Sequence, residues 1–249
     1  MSILLRGRWH NTSENFSSLV SNLAKCISTQ PDSLQEAGSW AEVAAGISSL
    51  YGFWGLMAQE DIWNPGDTID VAAGTETLYS AAGAWLARAW GLPVGRIICG
   101  CREDSALWEL CHNGQLRTAS RQMPEGMELL IYCCGGRREV LRYVEACRIG
   151  SVYVPWENTM RRLHQGIFAS VVSPRRILQT ISSVSSAHNY IMSPDTVYAY
   201  AAMLDHRAGT GESGWCLILA DRGPAQDLPV IAQALGTSEE AARNRLRKL

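Results

Sequence analysis

The residues best placed to do chemistry lie in a glycine turn, Ala73-Gly74-Thr75-Glu76-Thr77, between an apolar run over 68–73 and a helical pattern over 76–90. A glycine turn between a buried strand and a helix N-terminus holds phosphate in many folds. Unpartnered backbone N–H groups and the positive end of the helix converge there. Gly74 suits such a turn, and Thr75 and Thr77 add hydroxyl donors. Glu76 does not, because its carboxylate brings negative charge to the place of a dianion. Like charges about 5 Å apart repel by a few kcal/mol at an effective dielectric near 20. The turn therefore has the shape of a phosphate site and a charge that opposes one.

Other chemistry is thinner. Cys99-x-Cys101 and the pair Cys133-Cys134 fall at the ends of two expected strands, but the spacing is not that of a zinc site. Reduced thiols and no bound metal are the expectation. His10, His112, His164, His188 and His206 show no ligand or triad spacing, and no G-x-S-x-G occurs. Arg137-Arg138, Arg161-Arg162 and Arg175-Arg176 read as solvated faces. Lys25 and Lys248 are the sole lysines, so any mechanism needing an amine has two candidates.

The elements that must position these residues alternate. A short strand over 2–6, a helix over 14–26 and a linker over 28–33 lead into an apolar helical pattern over 34–59. Strands are expected over 68–73, 94–100, 128–134 and 214–220, and further short apolar runs lie at 151–154 and 167–172. Helices are expected over 76–90, 104–112, 137–148, 174–187, 194–207 and 224–235. A last helix opens with Thr237-Ser238-Glu239-Glu240, a capping box. Strands separated by helices imply an α/β fold of three layers, α/β/α, around a mostly parallel twisted sheet. Ligands of such sheets sit at the carboxyl ends of the strands.

The chain has 249 residues, 47% hydrophobic and 18% charged, with a net charge of −2. That balance gives no reason to expect nucleic acid or an anionic membrane as partner. No apolar run reaches the roughly 18–20 residues that span a bilayer. A cytoplasmic protein is expected.

Several segments carry a likeness in the same order along the chain. "VAAGTETLYSAAGAWLARAWGLPVGRIICGCRED" resembles the threonine synthase pattern V-P-S-G-N-F-G, a helix ending near G-L-P, a strand and a T-N-x-N-D-like loop. "MELLIYCCGGRREVL" resembles M-D-I-L-V-S-S-N-F-E-R-L-L, and "SPDTVYAYAAM" resembles the D-P-H-T-A-V-A helix. "LILADRGPAQDLPVIAQALG" resembles the strand ending in T-A-H-P, and "LLRGRWHNTSENFSSLV" resembles the strand-G-N-F-D-D-helix segment. The resemblance implies the large domain of a fold-type-II pyridoxal-phosphate enzyme over 31–249. It implies a strand-helix remnant of the small domain over 1–30.

The resemblance also implies what has changed. The family's front part, with its Schiff-base lysine, has no counterpart here, and Lys25 and Lys248 read as surface residues. In the phosphate turn only Gly74 survives. Asp221 stands where the family's Thr faces the cofactor ring nitrogen, and Asp195 replaces the His of D-P-H-T. A degenerate cofactor site is expected from Gly74, Thr75, Thr77 and Asp221, with no catalytic residue. The favoured reading is a non-catalytic subunit or interaction module that binds no cofactor alone. It would assemble as a homo-oligomer, through the 41–59 helix or a tryptophan helix, or with a chain carrying the small domain. The alternative is half of a split pyridoxal-phosphate-dependent lyase acting on O-phosphohomoserine or a similar amino acid, its lysine supplied by another chain.

Overall fold

Apolar runs too short for helices pair edge to edge, and the helices between them cover the faces. The computed structural model describes residues 2–4, 47, 50, 66–119, 123–220 and 223–247. Strands β1 (Ser2–Leu4), β2 (Ile69–Gly74), β3 (Val94–Cys101), β6 (Ile167–Val171) and β7 (Cys216–Ile218) form a five-stranded sheet in the order β1-β7-β2-β3-β6. Every pairing in it is parallel. The strands β4 (Leu116–Arg117) and β5 (Val152–Tyr153) make a separate antiparallel pair. The helices are α1 (Tyr79–Ala89), α2 (Ala106–Asn113), α3 (Met127–Gly135), α4 (Arg137–Ile149), α5 (Glu157–Gly166), α6 (Pro174–His188), α7 (Pro194–Thr210), α8 (Leu228–Leu235) and α9 (Glu239–Leu246).

The three-layer arrangement follows from alternation along the strands. Val71, Ile97, Cys99 and Cys101 face one side, where they join the core formed with α1, α2, α3 and α5. Ala72, Ile98, Cys216 and Ile218 face the other side and pack against Ala199, Ala202 and Met203 of α7. Small residues bring α7 close. A Cβ on Gly100 would overlap the Tyr198 carbonyl, and a Cβ on Gly74 would overlap the Asp195 carboxylate. Behind α7, helices α6, α8 and α9 bury Ile177, Ile181, Ile231 and Ala242.

The helix starts follow from their caps. Ser173 and Ser193, each followed by proline, accept the Arg176 and Thr196 N–H groups. Ser238, not Thr237, caps α9, so the N3 residue is Ala241 and the expected reciprocal box is not completed.

One strand expectation is overturned. Residues 128–134 lie in α3, so Cys133 and Cys134 sit on a helix and not at a strand end. Met127, Leu130, Ile131 and Cys134 are buried at helical spacing. Helix α3 begins at Gly126 in the left-handed region (φ 84) and ends at Gly136 (φ 75). A short apolar run has no periodicity of its own, and packing against α1 decides it here. The run at 151–154 pairs only with β4, outside the main sheet.

β1 joins the main sheet through β7. Ile47 and Leu50 are helical and buried. The expected helix over 14–26, the linker over 28–33 with its domain boundary, and the rest of the 34–59 helix lie outside the described residues.

Candidate functional site

The parallel sheet sends the carboxyl ends of β2 and β3 and the N-termini of α6 and α7 toward one end of the molecule. A cleft of about 410 Å³ opens there. Thr75 and Glu76 line it from the glycine turn, and Arg102 lines it from the end of β3. Pro194, Asp195 and Tyr198 come from α7, Pro174, Ile177 and Leu178 from α6, and Asp227, Val230 and Gln233 from the last described helical segments.

The turn does not run straight into a helix. β2 ends at Gly74, and α1 starts only at Tyr79. Between them Thr77 bridges to Glu125, and the Leu78 N–H donates to the Glu125 carbonyl at 2.7 Å. Gly126 lies so close to the Tyr79 nitrogen that a Cβ there would touch it at 2.9 Å. The N-terminal end of α1 is thus covered by the chain itself. The Thr75 hydroxyl donates to the Gly100 carbonyl at 2.9 Å, which ties the turn to β3.

The buried Asp195 carboxylate lies against Gly74, in the first turn of α7. An acid is favourable at that helix end. Glu76 is exposed and Asp227 half-buried. Among the described residues Arg102 is the one basic residue of the lining, and its Nε lies 3.3 Å from Asp104 Oδ1. The Tyr198 phenol is pushed above its ordinary range, chiefly by burial; Arg102 opposes this, and Asp104, Asp195 and Glu103 add to it. The cleft therefore presents three carboxylates, one arginine and a neutral phenol.

Of the residues singled out from the sequence, Thr75 reaches the cleft, Gly74 lies under Asp195, and Thr77 is held by Glu125. Asp221 lies outside the described residues, as do Lys25 and Lys248. Arg102, Tyr198 and Asp227 were missed. No local signal marked Tyr198, because α7 follows helix α6 and not a strand, so its place at the carboxyl ends of the sheet depends on distant contacts. The thiols of Cys99, Cys101, Cys133 and Cys134 form no metal-spaced group among the described residues. Burial holds Cys99 well above the ordinary thiol range and pushes Cys133 up to about 12.

An open parallel α/β sheet with its cleft at the carboxyl ends defines the class. Within it, the solved structures give the particular fold. Threonine synthase from Brucella melitensis, solved with pyridoxal phosphate bound, superposes over 94% of this chain and 57% of its own, with a TM-score of 0.65 at 15% identity. Threonine synthase from yeast superposes over 84% of this chain and 48% of its own, with a TM-score of 0.66 at 15% identity. The Escherichia coli enzyme gives 82% and 44%, with a TM-score of 0.51 at 20% identity. The chain has a partial threonine-synthase-like fold and spans about half the length of these neighbours. No family model matches the sequence. No curated protein matches it either.

Proposed function

We propose that this chain is non-catalytic on its own and serves as a threonine-synthase-like subunit or interaction module, in the cytoplasm, with a degenerate cofactor cleft. One observation carries the reading: the Asp195 carboxylate lies on Gly74, the glycine of the turn that resembles the phosphate loop. The turn is already faced by an anion of the protein's own. Glu76 and Asp227 add negative charge, and the single arginine is shared with Asp104. The nearby helix ends are served from within, α1 by Glu125 and α6 and α7 by their serine caps. Pyridoxal phosphate, which the fold implies, brings a dianion, and these residues do not suit it.

Association is supported by exposed apolar residues. Val152, Val154 and Trp156 are exposed along the β5 segment, and Leu141, Val144 and Ile149 are exposed on α4. Trp156 also lies under the Arg142 guanidinium at 4.8 Å. A second copy of the chain, or a chain carrying the small domain, would cover this surface.

The test is a visible-absorbance titration with pyridoxal phosphate, followed by borohydride trapping, peptide mapping and an assay of phosphate release from O-phosphohomoserine. No saturable band and no phosphate release are expected. A saturable band with one trapped lysine would overturn the proposal. A band and phosphate release that emerge only with a second chain would replace it with the split lyase.

A further inference from the structure

At the opposite, amino end of the sheet, α7 ends beside the start of β2. Asp70 is the second residue of β2, His206 lies in the last turns of α7, and Glu212 follows the Gly211 cap. One ligand atom from each lies within 4.8 Å of the others. We propose that these three residues form a binding site for a divalent cation of zinc type. It is separate from the cleft, since Asp70 and Gly74 stand about 13 Å apart at the rise of a strand.

The strongest support is the histidine. His206 is only 4% exposed, and its Nδ1 has no hydrogen-bond partner among the described residues. A buried ring nitrogen without a partner is unfavourable in a finished core. This nitrogen points at Glu212, 3.9 Å from Oε2, too far for a hydrogen bond and open to an ion between them. The ring is fixed edge-on to Phe168, with centroids 5.0 Å apart.

The carboxylates are prepared in different ways. Asp70 Oδ1 accepts the Arg96 N–H at 2.6 Å, which orients the group and leaves its other oxygen for a cation. Gly95 makes the space, because a Cβ there would run into Asp70 Oδ1. Glu212 is exposed, and its N–H donates to Thr210 Oγ1, which in turn donates to the His206 carbonyl. The loop is thereby tied to the helix while the carboxylate stays movable. Zinc with bonds of 2.0–2.2 Å needs ligand atoms about 3.4 Å apart, so Glu212 must close by roughly 1 Å. The negative end of α7 adds a favourable field, and the Arg207 guanidinium is drawn to the Gly214 carbonyl at 2.6 Å. One imidazole and two carboxylates suit zinc better than calcium, which takes six to eight oxygens. Water completes the coordination.

The test uses the full chain, stripped with chelator, and titrates Zn2+ by calorimetry. One saturable site and a rise in Tm are expected. Glu212→Gln, at an exposed position, should weaken binding at least tenfold, and His206→Gln should do the same. Co2+ should give a spectrum without thiolate charge transfer, which excludes the cysteines as ligands. The proposal is overturned by no saturable binding up to about 1 mM. It is overturned equally by a thiolate band or by unchanged affinity in Glu212→Gln. Should His206→Gln fail to fold, Glu212→Gln decides alone.

Discussion

Replacing Asp195 with asparagine keeps the shape of the side chain that rests on Gly74 and removes only its charge. A phosphate seated about 5 Å away would feel that charge at about 3.3 kcal/mol for an effective dielectric of 20, and about 0.8 kcal/mol in bulk water. The buried carboxylate lies nearer the first limit, so Asp195→Asn should tighten binding of inorganic phosphate or pyridoxal phosphate by about tenfold or more. Glu76 is exposed, and Glu76→Gln should give about fourfold or less. Stability should move the other way. Asp195 is the acid in the first turn of α7, and its loss removes about 0.3–1 kcal/mol of helix-end stabilisation. Calorimetric titration at low ionic strength, with thermal melts of each variant, reads both effects. If Asp195→Asn binds phosphate no more tightly than the parent, or if Glu76→Gln exceeds it, the self-occupied turn is the wrong explanation.

Glu139 is fully buried and accepts from Tyr153, Arg142, Thr159 and the Trp156 N–H. Glu139→Ala should destabilise by about 3–5 kcal/mol in urea melts, because it strands buried donors and opens a cavity. Thiols should govern alkaline stability. Burial pushes Cys216 up to about 12, with the Asp70 charge a second cause, and holds Cys99 well above the ordinary value of 9.0. The folded chain keeps these protons where the unfolded chain has lost them. Stability is then full below pH 9 and falls as pH rises toward 12, by about 1.4 kcal/mol per unit for each thiol. Urea midpoints that do not drop between about pH 8 and 10.5 would contradict this. Finally, Leu141→Glu should shift sedimentation at micromolar concentration toward the monomer and remove the concentration dependence of the melt. Leu141 is 58% exposed on α4.

Much of the fold was legible because its signals are local. The helices expected over 174–187 and 194–207 start where the structure starts them, and the apolar runs at β2, β3 and β7 are each buried on both sides. What stayed hidden depends on contacts between distant segments. Residues 128–134 became helix because α1 offers a helical groove, and the glycine turn was extended by a bridge to Glu125, 48 residues away from Thr77. Asp195 was noticed as a departure from the D-P-H-T pattern, yet nothing in its neighbours says that it rests on Gly74. His206 looked isolated among scattered histidines, because its companions lie on β2 and beyond the end of α7.

The contact between Gly74 and Asp195 couples two positions in any history of substitution. A serine or asparagine at 74 would meet the carboxylate unless residue 195 shrank first or α7 lifted from the sheet. Lifting α7 would also open the close packing one turn further on, where Gly100 lies under the Tyr198 carbonyl. An anion-holding turn would therefore keep glycine at 74 and need the acid at 195 replaced. A side chain at 74 with the acid still at 195 would dock the central helix badly. Sequence surveys of relatives should find glycine at 74 retained wherever an acid stands at 195.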